Sequence, residues 1–173
     1  MREPPKANMR LTLAIAVLTL ALDQASKLAM VDFVLAPPRM IEVLPFFNLV
    51  LVFNKGVSFG VFNDGDGAWQ AWILSALAVA ICIGLLVWQW RHPEGHKALA
   101  IGLIVGGAIG NVVDRLRLGA VIDFLDLHVA GWHWPAFNVA DSAITLGVLV
   151  IICAELLSKR SSQDTRSGEG GVE

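Results

Sequence analysis

Charge is scarce in this sequence. Only 16% of its 173 residues are Asp, Glu, Lys or Arg, where a soluble domain of ordinary composition carries about 25%. With 55% apolar residues and a mean hydropathy of +0.63, so little charge points to the bilayer as solvent. The net charge of −2 gives no ground for expecting nucleic-acid binding. Cysteine is scarce too: Cys82 and Cys153 each lie inside an apolar run, where cysteine is usually a small buried hydrophobe. Two cysteines so placed do not suggest a disulfide. Also missing are a Ser-His-Asp order, a catalytic cysteine, an internal repeat and a set of metal ligands. His92 and His96 lack the helical His-Glu-x-x-His spacing, and Pro93 and Gly95 would break the helix that spacing needs. His128 and His133 have no cysteine or third ligand beside them. Neither histidine pair therefore suggests a zinc site.

What is present in quantity is apolar sequence in long runs. Arg2, Lys6 and Arg10 precede the run Leu11 to Leu22. A signal peptide begins this way, but no small-x-small cleavage pattern follows. Apolar character resumes after Lys27, so a retained first helix is expected over about 9–31. Pro37 and Pro38 break it. Partial alternation around Phe47, Leu49, Leu51 and Phe53 predicts strand structure over about 41–62. Asn63-Asp64-Gly65-Asp66-Gly67 lacks the closing acid of a calcium loop and is read as a turn. Further spans are expected over about 68–90, 98–113 and 140–157. Gly102, Gly106 and Gly110 fall at four-residue steps in the third, a spacing that lets helices approach closely. The fold class expected is a four-helix polytopic membrane protein with a small extracytoplasmic β-sheet, one membrane domain over 1–160 and a disordered tail over 161–173.

Basic residues fall before the first span, between the second and third (Arg91, Lys97), and after the fourth (Lys159, Arg160, Arg166). Four spans put all three groups on one side, and that side is the cytoplasmic one. The six tryptophans lie at or just beyond span ends, as an interfacial belt would have them.

The polar groups then converge. Asp23, Asn54, Asn111, Asp114, Arg115, Asp123, Asp126, Asn138 and Asp141 all fall at the outer side. Ionisable groups at membrane depth are costly and commonly mark function. Bland readings exist for several. Asp23 and Lys27, four apart, would form a pair on one helix face, which serves scaffolding as well as it serves a site. Asp114 and Arg115 suit a structural ion pair, and Asn138 suits an N-cap. Asp141 is harder to dismiss, because a helix dipole eases an acid's cost without explaining the need for one. Asp123, between Val121-Ile122 and Phe124-Leu125, sits in surroundings that favour its protonated form. Two carboxylates in one place suggest a dyad sharing a proton, one acting as base on a water and the other as acid.

At these residues the sequence resembles the lipoprotein signal peptidase (signal peptidase II) family. Five segments carry the likeness, in order along the chain: LDQASK (22–27), FNKGVSFG (53–60), GGAIGNVVDR (106–115), VIDF (121–124) and PAFNVADS (135–142). Where the family often has two alanines after its Asn-x-Gly step, this chain has Val57 and Ser58. The resemblance implies a membrane aspartic endopeptidase with Asp123 and Asp141 as catalytic residues. Asp23, Asn54, Gly107, Asn111, Asp114, Arg115, Asn138 and Ala140 would bind substrate or support the dyad. It further implies a lipid-modified prolipoprotein as substrate, cut before its diacylglyceryl cysteine, membrane lipid as a partner, and no metal or cofactor. The expected setting is the bacterial inner membrane, with a monomer, both termini cytoplasmic and the active site near the periplasmic face. Two other classes fit parts of the pattern. A proton- or ion-coupled transporter would use membrane acids as relays, though nearer the midplane and between repeats. A non-enzymatic assembly factor would use the glycines for packing alone.

Overall fold

The structure, a computed structural model, describes residues 5–34, 36–37, 39–56, 68–92 and 95–169. Val57, Ser58, Gly60, Pro93 and the turn cluster of residues 63–67 lie outside the described residues. Helix α1 (Pro5–Ala29) opens on a proline, whose missing N–H costs nothing at a first helical position. It widens into a π-type turn over Met30–Val34. Strands β1 (Ile41–Leu44) and β2 (Phe47–Asn54) follow, then α2 (Ala68–Arg91) and α3 (Gly95–Leu118). Strands β3 (Val121–Val129) and β4 (Trp132–His133) lead to α4 (Val139–Glu169). Among the described residues, four segments are long and apolar enough to cross a membrane: Asn8–Asp32, Trp69–Arg91, Lys97–Leu118 and Val139–Leu157. Four spanning helices with a small antiparallel sheet are the architecture expected from the sequence.

Helix α3 is the centre of the bundle and packs against each of the other three. Within its apolar window 61% of residues are buried, against 22%, 17% and 17% for α1, α2 and α4. The outward faces of those three are covered by exposed Leu, Val and Ile, such as Leu18, Ile83 and Leu149, which is the surface a lipid-facing helix needs. The glycine spacing has a direct structural use. Gly102 and Gly106 lie against the backbone of α1 at Thr12 and Ala16, and Gly107 lies against the Ala140 carbonyl of α4.

The sheet runs β1-β2-β3-β4, all neighbours antiparallel, and sits at the end of the bundle where α3 stops. Gly119, at φ +71°, ends α3 and donates its N–H to the Arg115 carbonyl at 3.0 Å, a left-handed stop that L side chains resist. The chain turns there directly into β3. Three differences from the sequence reading follow. Helix α3 continues five residues past 113, because Asp114, Arg115 and Arg117 are polar yet compatible with helix. Residues 121–129, between the third and fourth expected spans and outside the expected strand region, form β3. Helix α4 extends to Glu169, past the apolar run and over residues 161–169 of the stretch expected as a disordered tail, since no proline interrupts it.

Candidate active site

The two acids singled out above lie on different elements, and backbone pairing brings them together. Asp123 is in β3, opposite Val52 of β2. The strand also holds the segment leading into α4. The Phe137 carbonyl accepts from the Phe124 and Leu125 N–H groups at 3.0 and 2.8 Å, and Phe137 N–H returns a bond to the Leu125 carbonyl at 3.0 Å. Asn138, next in the chain, is thereby carried to the side of Asp123. It opens α4 with a reciprocal capping box. Asn138 Oδ1 accepts from the Asp141 N–H at 3.0 Å, and Asp141 Oδ2 accepts from the Asn138 N–H at 3.3 Å.

With its oxygen committed to the cap, Asn138 turns Nδ2 inward. That nitrogen donates to Asp123 Oδ1 at 2.7 Å, and has the Ile122 carbonyl at 3.1 Å and Asn111 Oδ1 at 3.2 Å. One asparagine therefore touches both acids, and the N-cap and site readings of Asn138 hold together. Asn54 Nδ2 donates to Asp123 Oδ2 at 2.9 Å, while Asn54 Oδ1 accepts from the Gly56 N–H at 2.8 Å. Gly56 adopts φ +87° to make that turn. Asn111 Nδ2 donates to Asp141 Oδ1 at 2.8 Å. All four oxygens of the two carboxylates thus face N–H donors.

Behind this layer lies a fully buried ionic one. Lys27 Nζ is 2.8 Å from Asp23 Oδ2, 2.7 Å from Asp114 Oδ2 and 3.0 Å from Asn111 Oδ1. Asp23 also accepts from the Ala140 N–H at 2.9 Å, and Asp114 from the Ile122 N–H at 3.2 Å. The first acid therefore fixes the start of α4 and the second fixes β3 beside Asp123. Gly110 leaves the room that the Asp23 carboxylate occupies, and Gly107 leaves room for Ala140, which is wholly buried. Arg115 is half-buried, with Asp141, Asp123 and Asp114 as its charged neighbours, and its Nε has no hydrogen-bond partner among the described residues.

Asp123 and Asp141 differ in environment. Asp123 is 1% exposed. Burial, against the Asn54 bond and reinforced by the Asp141 charge, pushes its carboxyl up from 3.8 to about 6. Asp141 is partly exposed and lines two separate apolar grooves. One runs between α2, α3 and α4, past Leu77, Ala108 and Arg115. The other follows α4 outward, past Phe137, Thr145 and Trp134.

Every site residue expected from the sequence falls in this assembly. Asp126 does not join it and forms its own cluster, accepting from Asn48 Nδ2 at 2.9 Å and lying 2.9 Å from His133 Nδ1, with His128 stacked on His133. Burial opposes its charge, but the His133 and Asn48 bonds outweigh that and lower its carboxyl pKa. Sequence reasoning missed Gln24, whose Nε2 lies 3.2 Å from Asp23 Oδ2, 3.2 Å from the Gly110 carbonyl and 3.0 Å from Asp114 Oδ1. Its place between Asp23 and Lys27 was the available signal. Among the described residues no group of three or more His, Cys, Asp or Glu is arranged to hold a metal ion.

Four spanning helices around a central α3, with a carboxylate and carboxamide centre where they meet a small sheet, define a polytopic membrane protein of enzyme type. Two solved bacterial membrane enzymes share the fold, with TM-scores of 0.72 and 0.69 at 30% and 31% identity. The matches cover 86% and 84% of this chain and 88% and 92% of theirs. The model of the Signal peptidase (SPase) II family matches residues 15–157, and the chain belongs to that family of proteases. The lipoprotein signal peptidase of Paraburkholderia phymatum is 44% identical over 162 residues, 93% of this chain and 96% of that protein. The lipoprotein signal peptidase of Polynucleobacter necessarius subsp. necessarius is 48% identical over 147 residues, 83% and 88% of the two chains.

Proposed function

We propose that this chain is an aspartic endopeptidase that removes signal peptides from diacylglyceryl-modified prolipoproteins, cutting before the lipidated cysteine, with Asp123 and Asp141 as the catalytic dyad. The observation that carries the reading is the Asn138 side chain, which bonds both Asp123 and the Asp141 backbone and so ties the two carboxylates into one unit. Asp141 opens onto the grooves and takes a proton from water as its oxygen attacks the scissile carbonyl carbon. Asp123, whose burial favours the protonated form, donates its proton to the carbonyl oxygen. The tetrahedral diol then collapses. The C–N bond breaks, Asp141 passes its proton to the leaving nitrogen, and a diol hydroxyl returns a proton to Asp123. Asn54, exposed and bonded to Asp123 Oδ2, gives way to the substrate carbonyl, and Arg115 faces the charge that develops.

A lipid-bearing signal peptide has two apolar parts, its helix and its acyl chains, and two apolar grooves meet at Asp141. The basic residues that flank the spans support a cytoplasmic side for both termini and the α2–α3 connection, and the bacterial relatives support an inner-membrane setting. The dyad then lies near the periplasmic face, where water and a leaflet-anchored substrate both reach it. The protein works as a monomer in contact with membrane lipid. The test is a gel-shift assay on a lipid-modified prolipoprotein with purified wild type and the Asp141→Asn variant. Cleavage by the wild type alone is expected; equal cleavage by both would remove Asp141 from the chemistry.

A further inference from the structure

Lys27 is buried to 2% exposure, lines neither groove, and holds three oxygens with three N–H groups. Two of those oxygens belong to the carboxylates of Asp23 and Asp114, whose charge more than offsets its own. The third, Asn111 Oδ1, belongs to a neutral amide, and its role is geometric. We propose that Lys27 is a positioning residue, one that locks the orientation of the Asn111 carboxamide and through it the carboxylate of Asp141.

A carboxamide has an accepting end and a donating end of nearly the same shape, and only its neighbours decide which way it points. An ammonium group has no acceptor at all. Facing Lys27 Nζ at 3.0 Å, Asn111 must present Oδ1. Asn138 Nδ2 reaches the same oxygen at 3.2 Å. The donating end is then forced outward, where Nδ2 meets Asp141 Oδ1 at 2.8 Å. Were the amide reversed, N–H would face N–H at Lys27 and oxygen would face oxygen at Asp141. The other two asparagines are locked in the same manner by donor-only groups. The Asp141 N–H holds Asn138 Oδ1 and the Gly56 N–H holds Asn54 Oδ1. Asn111 differs in that the nearer of the two donors on its Oδ1 is a charged side chain 84 residues away in sequence, with an aspartate on each side holding it in place.

The proposal rests on Asp141 being a dyad member, and its test separates the two ideas. Lys27→Met removes the lock but strands the charges of Asp23 and Asp114. Lys27→Met/Asp114→Asn removes it at the wild-type net charge of the cluster, and Asp114→Asn alone controls for the contact that Asp114 makes with the Ile122 N–H. All three are assayed in proteoliposomes on a lipid-modified prolipoprotein peptide, with thermal unfolding measured alongside. The double variant is expected to fold and to lose kcat by about 100-fold relative to Asp114→Asn, with KM within a few-fold, the pattern of a misplaced reacting group. Lys27→Arg, which keeps a donor-only group, is expected to recover part of that loss. A folded Lys27→Met with the kcat of wild type, or a folded double variant with the kcat of Asp114→Asn, overturns the proposal. So does failure of both to fold, which makes Lys27 a folding residue. Absence of cleavage by the wild type refutes the peptidase reading instead.

Discussion

Asn138 and Asp141 cap each other across the first turn of α4, with Oδ1 of the first on the N–H of the second at 3.0 Å and Oδ2 of the second on the N–H of the first at 3.3 Å. The exchange does more than start a helix. It fixes the rotamer of an acid that lines two grooves, and it leaves Asn138 Nδ2 free for Asp123. The structural and chemical uses of these two residues are therefore separable by substitution.

Asn138→Ser retains a hydroxyl able to cap α4 but removes the donor to Asp123, and Asn138→Ala removes both. The serine variant should be more stable than the alanine variant by about 1 kcal/mol, the usual worth of a cap. Both should lose peptidase activity. Thermal unfolding and cleavage rates measured together check this, and an active serine variant would show that the Asp123 contact is dispensable.

Asp123 carries a pH signature. Its carboxyl is raised from 3.8 to about 6, so between those values the folded state binds more protons than the unfolded one. The contribution of this group therefore makes stability fall as pH rises through that window, and stay level above it. Asp123→Asn has no group to titrate there. The Tm of the variant minus that of wild type should rise between about pH 4 and about pH 6.5 and then flatten. A difference that is constant with pH would remove the burial argument for Asp123.

The grooves should govern binding more than chemistry. Ala108 lines one and Thr145 lines the other. Ala108→Trp and Thr145→Trp each fill apolar space that the substrate would use, and each should raise KM about tenfold with kcat largely kept. Steady-state kinetics on a lipid-modified peptide check it. An unchanged KM for either variant would mean that its groove stays empty during catalysis.

The glycines of α3 separate close packing from mere helix composition. A Cβ on Gly106 would lie 2.5 Å from the Ala16 carbonyl of α1, and one on Gly110 would collide with the Asp23 carboxylate. Gly106→Ala and Gly110→Ala should each cost about 1–3 kcal/mol as overpacking. Gly84→Ala in α2 meets nothing within 4 Å and should be neutral. Unfolding of the three variants in one detergent measures the contrast.

The parts of this molecule that were legible in its sequence are those with local causes. The four spans announce themselves as apolar runs, and Asp123, Asp141 and their asparagines stand out because polar groups are expensive beside such runs. Strand β3 was not legible, because Asp123 and Asp126 interrupt an otherwise apolar segment and hide its alternation. Their partners, Asn54 and Asn48 on β2, supply what makes the strand tolerable, and they lie 69 and 78 residues away. The end of α3 was set too early, since Asp114 and Arg115 end the apolar run, yet the helix continues through them with Asp114 buried and Arg115 half-buried; Gly119 was the stop signal. Lys27 looked like half of an i, i+4 pair with Asp23, which it is. Its bonds to Asp114 and Asn111 depend on how α1 packs on α3, and no local pattern encodes that.

The central claim is that Asp123 and Asp141 act as one catalytic unit on a lipid-modified substrate. The most direct measurement is cleavage of a diacylglyceryl-modified prolipoprotein by wild type, Asp123→Asn and Asp141→Asn in proteoliposomes, with each protein's folding verified by thermal unfolding. Wild type should cleave before the lipidated cysteine, and each folded variant should be slower by at least about a thousandfold. Cleavage at the wild-type rate by either folded variant would contradict the dyad.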